Sequence, residues 1–432
     1  MNAKSVQRPI GFAPSEISAR VNEEVVSFHA EEAAFLWSVR NRAVGEPHYS
    51  LGDLAEVDER VEAHLDGLRE AGDVGWKCCK VNLQHLGAGE VFALSAIAFG
   101  GNDRDRMREA LTAGCTSAET RAGFTSALGW LDFQTASPWI GRLLEASSPL
   151  HRALGIRACA IHRQDPGAVL AAAAVDPDPT LRAVALRTIG ELKRDDLRRQ
   201  LLEQRRSEFE ECQFRAACAL ALLGERAGVV ELTRWFEGPE LLALPALQLG
   251  LRAMAIEESR EWIRVLVGKA EFARRAVISV GIVGDPASIP WLIARMQSPD
   301  VARLAGEALT MITGVDLAYH DLDEDPPESL QAEDLAIEEV LDLGYESNLP
   351  WPSRPRIEAW WRENQQAFAD GTRYLAGRPI TWESAVATLS TGKQRQRAAA
   401  ALELAVREPK QLLFEVRARA TEQQRILAAW TS

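Results

Sequence analysis

The chain has 432 residues, enough for about three average domains by length alone. With 47% hydrophobic and 26% charged residues, 30 Gly and 20 Pro, it has the make-up of an ordinary globular protein, which excludes a disordered tail, a collagen-like rod and a disulfide-stapled miniprotein. The formal net charge is −13, and the whole excess falls between Arg303 and Arg354, where thirteen acids stand without a Lys or Arg, while the rest balances 49 against 49.

That balance argues against a nucleic-acid partner, because affinity for phosphate backbones comes mainly from Lys and Arg. The bases are 42 Arg and seven Lys. Arg suits planar contacts with carboxylates, and a GC-rich genome would give the same bias. Met1 to Ser15 lacks the apolar core of a secretory signal, and no run approaches the ~18 apolar residues of a membrane span. The six Cys (Cys78, Cys79, Cys115, Cys159, Cys212, Cys218) have no CxxC spacing, and read as reduced, mostly buried thiols of a cytoplasmic protein.

Residues 28–44 and 53–71 read as amphipathic helices, the second with Leu54, Val57, Val61, Leu65 and Leu68 on one face. They are expected to form an N-terminal helical cap over 1–104. His29 and His64 fall on or near these apolar faces and read as satisfied boundary histidines.

From about residue 116 a phrase recurs in which Arg precedes Ala or another apolar residue and apolar positions follow at helical spacing, and the repeat region is expected over 105–317. Copies stand at Arg121, Arg152, Arg182, Arg215, Arg275 and Arg303, several ending in Gly, and a skipped copy falls at Pro245-Ala246. Ser or Asp before Pro, at Ser137, Ser148, Asp165, Asp178, Asp285 and Ser298, reads as a helix opener. A period near 30 residues gives paired short helices that cannot cover their own apolar faces, so neighbours must stack. The expected fold is all-α, an α-α superhelical solenoid with helical caps at both ends.

After Gly314 the periodicity stops. Residues 318–350 carry most of the acidic excess, with an amphipathic pattern over 329–343, and read as an acidic linker or as a docking site. A helical module over 351–432, expected to cap the solenoid or continue it, resumes with the Trp360-Trp361 pair and an Ala-rich stretch from Gln394 to Val406. Adjacent residues lie about 100° apart on a helix, so one Trp points inward and the other lies on a rim or meets a partner.

The phrases DPDPTLRAVALRTIGEL (176–192) and VGDPASIPWLIARMQSPDVARLAGEALTMITG (283–314) resemble HEAT-like repeats of the phycobilisome-lyase type. The flanks, FHAEEAAFLWSVR (28–40), RVEAHLDGLREAG (60–72) and LPWPSRPRIEAWWRENQQAFADGTRYLAGRPIT (349–381) followed by GKQRQRAAAALELAV (392–406), resemble a bacterial family of HEAT-repeat proteins encoded beside type VI secretion components. That resemblance implies a genetic context rather than a mechanism.

No HExxH, GxSxG, Walker loop or dinucleotide fingerprint is present. His151, Cys159 and His162 lack the fourth ligand of a structural zinc site, and His320 beside Asp321 has no nucleophile to orient. No catalytic residue, metal or cofactor is expected. The reading is a non-catalytic protein-binding scaffold associated with type VI secretion. It would bind an effector as its immunity protein, or alternatively as a loading adaptor. A HEAT-fold enzyme, bilin lyase-like or DNA glycosylase-like, is the remaining alternative. The expected contact residues for a basic effector are Asp321, Asp323, Glu324, Asp325, Glu328 and Trp361.

Overall fold

Polar caps followed by apolar residues at helical spacing fold as the sequence pattern dictates. The computed structural model describes residues 21–101, 103–327, 346 and 348–431, and these are all-α apart from the short antiparallel pair Tyr374–Leu375 and Arg378–Pro379. Glu328 and the amphipathic stretch 329–343 lie outside the described residues.

Seven helices carry the repeat phrase: Ala118–Trp130, Pro149–Ile161, Pro179–Glu191, Glu210–Leu222, Glu240–Ala253, Ala273–Val283 and Pro299–Thr313. Each packs on the next in order. The fifth is the copy in which Pro245 replaces Arg. Ala, Gly and Leu on the facing sides let the helices come close. A Cβ on Gly190 would lie 2.7 Å from the Cα of Ala219 on the neighbouring helix, so Pro179–Glu191 and Glu210–Leu222 meet almost backbone to backbone.

The row begins earlier than residue 105. Glu23–Ala43 packs on Ala88–Gly100, which packs on Ala118–Trp130, so the N-terminal segment adds two helices to the same file. Phe92, Leu94, Phe124 and Leu128, all at most 1% exposed, join these helices in one core.

Ser148, Asp178 and Asp285 cap helices directly before a Pro at the first turn. Ser137-Pro138 does not open one. The helix Phe133–Leu144 starts earlier, capped by Asp132, and Pro138 lies inside it. Pro138 has no N–H to give the carbonyl of Gln134, and the Ser137 hydroxyl donates to that oxygen instead, at 3.1 Å. Asp165 likewise accepts from the N–H of Gly167 in the turn before the helix Ala168–Ala173.

Beyond Gly314 the chain turns back. Helix Arg354–Asn364 packs on Ile289–Arg295, and the following segment then runs along the C-terminal ends of the row helices. Helix ends leave free carbonyls at the negative end of the helix dipole, and this return segment supplies donors to them. Ala376 and Gly377 N–H donate to Met311 and Ile312, and Tyr374 N–H donates to Gly284. Arg373 donates to Val283 O (2.8 Å) and Arg252 O (3.1 Å). Helix Gln394–Arg407 lies on Glu240–Ala253 and Glu210–Leu222. Farther on, Leu413 N–H donates to Glu191 O, and Arg163 Nε donates to Leu413 O at 2.5 Å. The last helix, Ala420–Thr431, reaches Leu51–Glu70, so Ala43, Val44, Leu51 and Leu54 share a core with Leu389, Ala400, Leu404 and Leu427. The 351–432 module thus straps the row from its last helix back to its first.

Candidate binding surfaces

Two features stand out, an acidic edge and an arginine-lined cavity. At the edge, Leu317, Leu322 and Leu349 are buried against the end of the row, while Tyr319, His320, Asp321, Glu324 and Asp325 are exposed. Asp321 takes a left-handed conformation (φ 53°), tolerated by a short polar side chain, and Leu322 N–H closes the turn on Leu317 O at 2.8 Å. Asp323 bridges to Pro352, Glu324 N–H donates to Trp351 O, and Ser353 N–H donates to Leu322 O. Arg356 donates to the backbone carbonyls of Asp321 (3.1 Å) and Asp323 (2.9 Å). Because Arg356 grips carbonyls, the carboxylates of Asp321, Asp323, Glu324 and Asp325 make no ion pair among the described residues. Tyr319 beside them is 82% exposed, an aromatic the sequence reading passed over.

His320 places Nδ1 2.9 Å from Asp316 O and packs against Tyr319. Two acids of the same window face inward instead: Glu307 pairs with Arg395 at 3.5 Å and Glu346 pairs with Arg274. Burial pushes the Glu307 carboxyl above its usual range, with Arg395 opposing.

Trp361 does not lie on a surface. It is 9% exposed, packed 5.4 Å from Phe368 between ring centroids, in a core with Ile357. Ile357 and Trp361 are four residues apart and share a helix face, which is the signal that assigns Trp361 inward. Trp360 is the half-buried member of the pair.

The cavity lies against the row between Glu23–Ala43 and Pro179–Glu191, with strap residues 415–419 on one side, and holds about 370 Å³. Arg40, Arg121, Arg157, Arg187, Arg417 and Arg419 line it, and Glu415 is the only acid among its lining residues. Two of these arginines, Arg157 and Arg187, reach Glu191, which is 4% exposed and not itself part of the lining. Arg187 Nε lies 2.7 Å and Arg157 Nη1 3.1 Å from its oxygens, with Arg163 at 3.6 Å. Burial alone would raise the Glu191 pKa, but Arg187, Arg157 and Arg163 outweigh it and hold the carboxyl down at about 2. Burial pulls Arg157 below its ordinary value, with the like charge of Arg187 acting in the same direction.

The same design recurs twice. Glu403, also buried, meets Arg373 at 2.6 Å, Arg407 at 3.2 Å and Arg252 at 3.5 Å. Asp58 meets Arg40 at 2.8 Å, and Arg40 also donates to Arg417 O and Ala418 O. Glu403 and Asp58 tie the row or its first hairpin to the strap; the Glu191 carboxylate joins arginines of the row, and only its backbone carbonyl reaches the strap, accepting Leu413 N–H. Composition alone gave 42 Arg without this role for them.

His29 and His64 face each other, Nδ1 to Nδ1 at 3.0 Å. His162 Nε2 lies 2.9 Å from Leu128 O. All six cysteines are free, and burial pushes Cys79, Cys159 and Cys218 up to about 12. Among the described residues no three His, Cys, Asp or Glu side chains group as metal ligands, and no helix is long and apolar enough to cross a membrane. No protein-family model matches the chain, and no curated protein matches it.

Proposed function

We propose that this chain is a non-catalytic scaffold that holds a basic protein partner on the edge formed by Tyr319 to Asp325. The observation that carries the reading is the unspent charge there: Asp321, Asp323, Glu324 and Asp325 have no cationic partner among the described residues, while Arg356 fixes the backbone that presents them. Complementary charge of this kind speeds encounter and selects partners, and an exposed Tyr is a suitable anchor at the centre of a contact.

The resemblance of the flanks to HEAT-repeat proteins encoded beside type VI secretion components supports a specific partner, a secreted effector. The first role is immunity, in which the carboxylates would occupy the phosphate path of a basic toxin such as a nuclease. The second is that of an adaptor loading the effector. The cell compartment that goes with either role is the cytoplasm.

The test is co-purification with the products of neighbouring genes, using the intact chain and a variant with Asp321, Asp323 and Asp325 changed to Asn and Glu324 to Gln. Retention of a neighbouring effector, weakened in the variant and less sensitive to salt there, is the expected result. Failure to retain any neighbouring secreted protein at low salt would overturn the reading. Equal retention by both forms would leave the edge a mere linker. Inhibition of the bound effector separates immunity from loading.

A further inference from the structure

We infer that the arginine-lined cavity is a binding site for a small organic phosphate of two or three negative charges, with a nucleoside diphosphate as the size match. The site is independent of the acidic edge.

Charge comes first. Arg40, Arg121, Arg157, Arg187, Arg417 and Arg419 line the cavity with one lining carboxylate, Glu415. Asp58 pairs with Arg40, Glu62 with Arg419, and Glu191 with Arg157 and Arg187, which leaves Arg121 and Arg417 without an ion pair among the described residues. One carboxylate with one or two arginines would suffice to fasten the strap, as Asp58 does with Arg40. The surplus is costly, because charges withdrawn from water repel one another unless a counter-charge is supplied. Arg157 shows that cost, drawn below its ordinary value by burial.

Arg121 has no structural task. Its guanidinium makes no hydrogen bond or ion pair among the described residues, yet it lines the cavity from the helix Ala118–Trp130. Arg417 spends its side chain only on Asn41. The groups thus come from three neighbouring helices and the strap and line the cavity from more than one element. That arrangement suits a tetrahedral phosphate better than a planar carboxylate, and guanidinium forks bind phosphate oxygens in pairs.

The remaining wall is mostly apolar, with Asn41, Thr125, Ser126 and Thr180 as its polar members. Ala122, Leu150, Leu154 and Val184 line it beside Trp37, whose ring is stacked on Phe92. A volume of about 370 Å³ falls in the range of small-molecule sites, about 300–1,000 Å³. Charge on one side and a mostly apolar wall on the other describe a ligand with a phosphate end and an uncharged body. The strap closes one flank: Glu415, Ala418 and Arg419 also line a second cavity beyond it. A chamber bounded in this way favours a compact ligand over an extended acidic peptide.

The test is titration calorimetry on the full chain at low salt with pyrophosphate, ADP, adenosine and a poly-glutamate peptide as probes, repeated on Arg121→Gln and Arg121→Glu. Arg121 supports no contact in the fold, so neither variant should lower the melting temperature. Saturable binding of ADP, weaker binding of pyrophosphate and none of adenosine is the expected pattern. Arg121→Gln should weaken ADP by about tenfold or more, the range of a lost charged hydrogen bond, and Arg121→Glu should abolish it. Absence of saturable binding by both phosphate probes would overturn the inference, as would ADP binding unchanged in both variants. Binding of the peptide alone, lost in Arg121→Glu, would reassign the cavity to an acidic protein segment. Since neither variant touches the acidic edge, effector retention and phosphate binding fail or hold separately.

Discussion

Asp58 joins the two ends of the chain: its Oδ2 accepts the backbone N–H of Ala420 at 2.7 Å, 362 residues away, while its Oδ1 takes Arg40 Nε at 2.8 Å. Asp58 is 3% exposed and Arg40 5%. Removing the carboxylate leaves a buried guanidinium without its counter-ion and the last helix without a partner for its first N–H. Asp58→Ala should therefore destabilise the protein by about 3–5 kcal/mol, the range for breaking a buried pair. Urea unfolding measures the loss, and limited proteolysis should cut first around residues 408–419. A loss under 1 kcal/mol would mean that the hydrophobic core alone closes the structure.

Glu191 makes the stability of the row sensitive to acid. Its folded-state pKa of about 2 lies below the ordinary 4.5, so the folded state holds the carboxylate in preference to the acid. The resulting stability is present above pH 4.5 and is lost as pH falls from there towards 2. Thermal unfolding followed across that window should show the decline. Glu191→Gln should lower the melting temperature at neutral pH, because Arg157, Arg163 and Arg187 then repel without a counter-charge, and should flatten the acid limb. An acid limb as steep in the variant as in the parent would assign the sensitivity elsewhere.

The row was legible because its signals are local. Period, capping residues and apolar spacing are all set within a turn or two of each helix, and even the copy at Pro245, which lacks the Arg, forms its helix. The strap was not legible. Its contacts join residues hundreds of positions apart, as Arg40 to Arg417 and Gln394 to Ser50 do, and no periodicity encodes such pairs. The acidic window shows the same limit. Counting charges put Glu307 and Glu346 with Asp321, although burial and ion pairs take both of them inside. Trp361 was assigned to a partner when Ile357 one turn earlier marks its face as core.

The Trp pair separates packing from recognition. Trp361→Ala removes a buried ring from the core around Ile357 and Phe368 and should cost about 3–5 kcal/mol. Trp360→Ala, at a half-buried position, should cost clearly less. Denaturant midpoints at equal m-values distinguish the two, and equal losses would show that both rings are core.

Gly284 couples the row to the strap. It ends the helix Ala273–Val283 with φ 73°, a conformation that L side chains adopt at a cost, and its carbonyl accepts the Tyr374 N–H at 2.7 Å. A Cβ there would fall 2.1 Å from Tyr374 O, so Gly284→Ala must push the hairpin away as well as strain the turn. The loss should exceed the roughly 1 kcal/mol that separates Gly from Ala on conformational grounds. Amide exchange at Tyr374 and Ala376, whose N–H groups donate to the row, should quicken more than exchange in the helix Pro149–Ile161. Uniform quickening would indicate global destabilisation only.

The facing imidazoles of His29 and His64 set a second pH limit. At 3.0 Å between Nδ1 atoms, one nitrogen must donate and the other accept, which two protonated rings cannot do. Burial lowers the His64 pKa below 6.5, and the neighbouring His29 lowers it further against the opposing Glu32. The unfolded chain therefore takes up this proton at a higher pH than the folded one, and stability falls as pH drops below 6.5. Proton titration by NMR should place His64 below 6.5, and His64→Gln, which cannot gain the charge, should remove that part of the decline. A His64 that titrates at or above 6.5 would require a second acid beside the pair, and the only one acting on it among the described residues is Glu32.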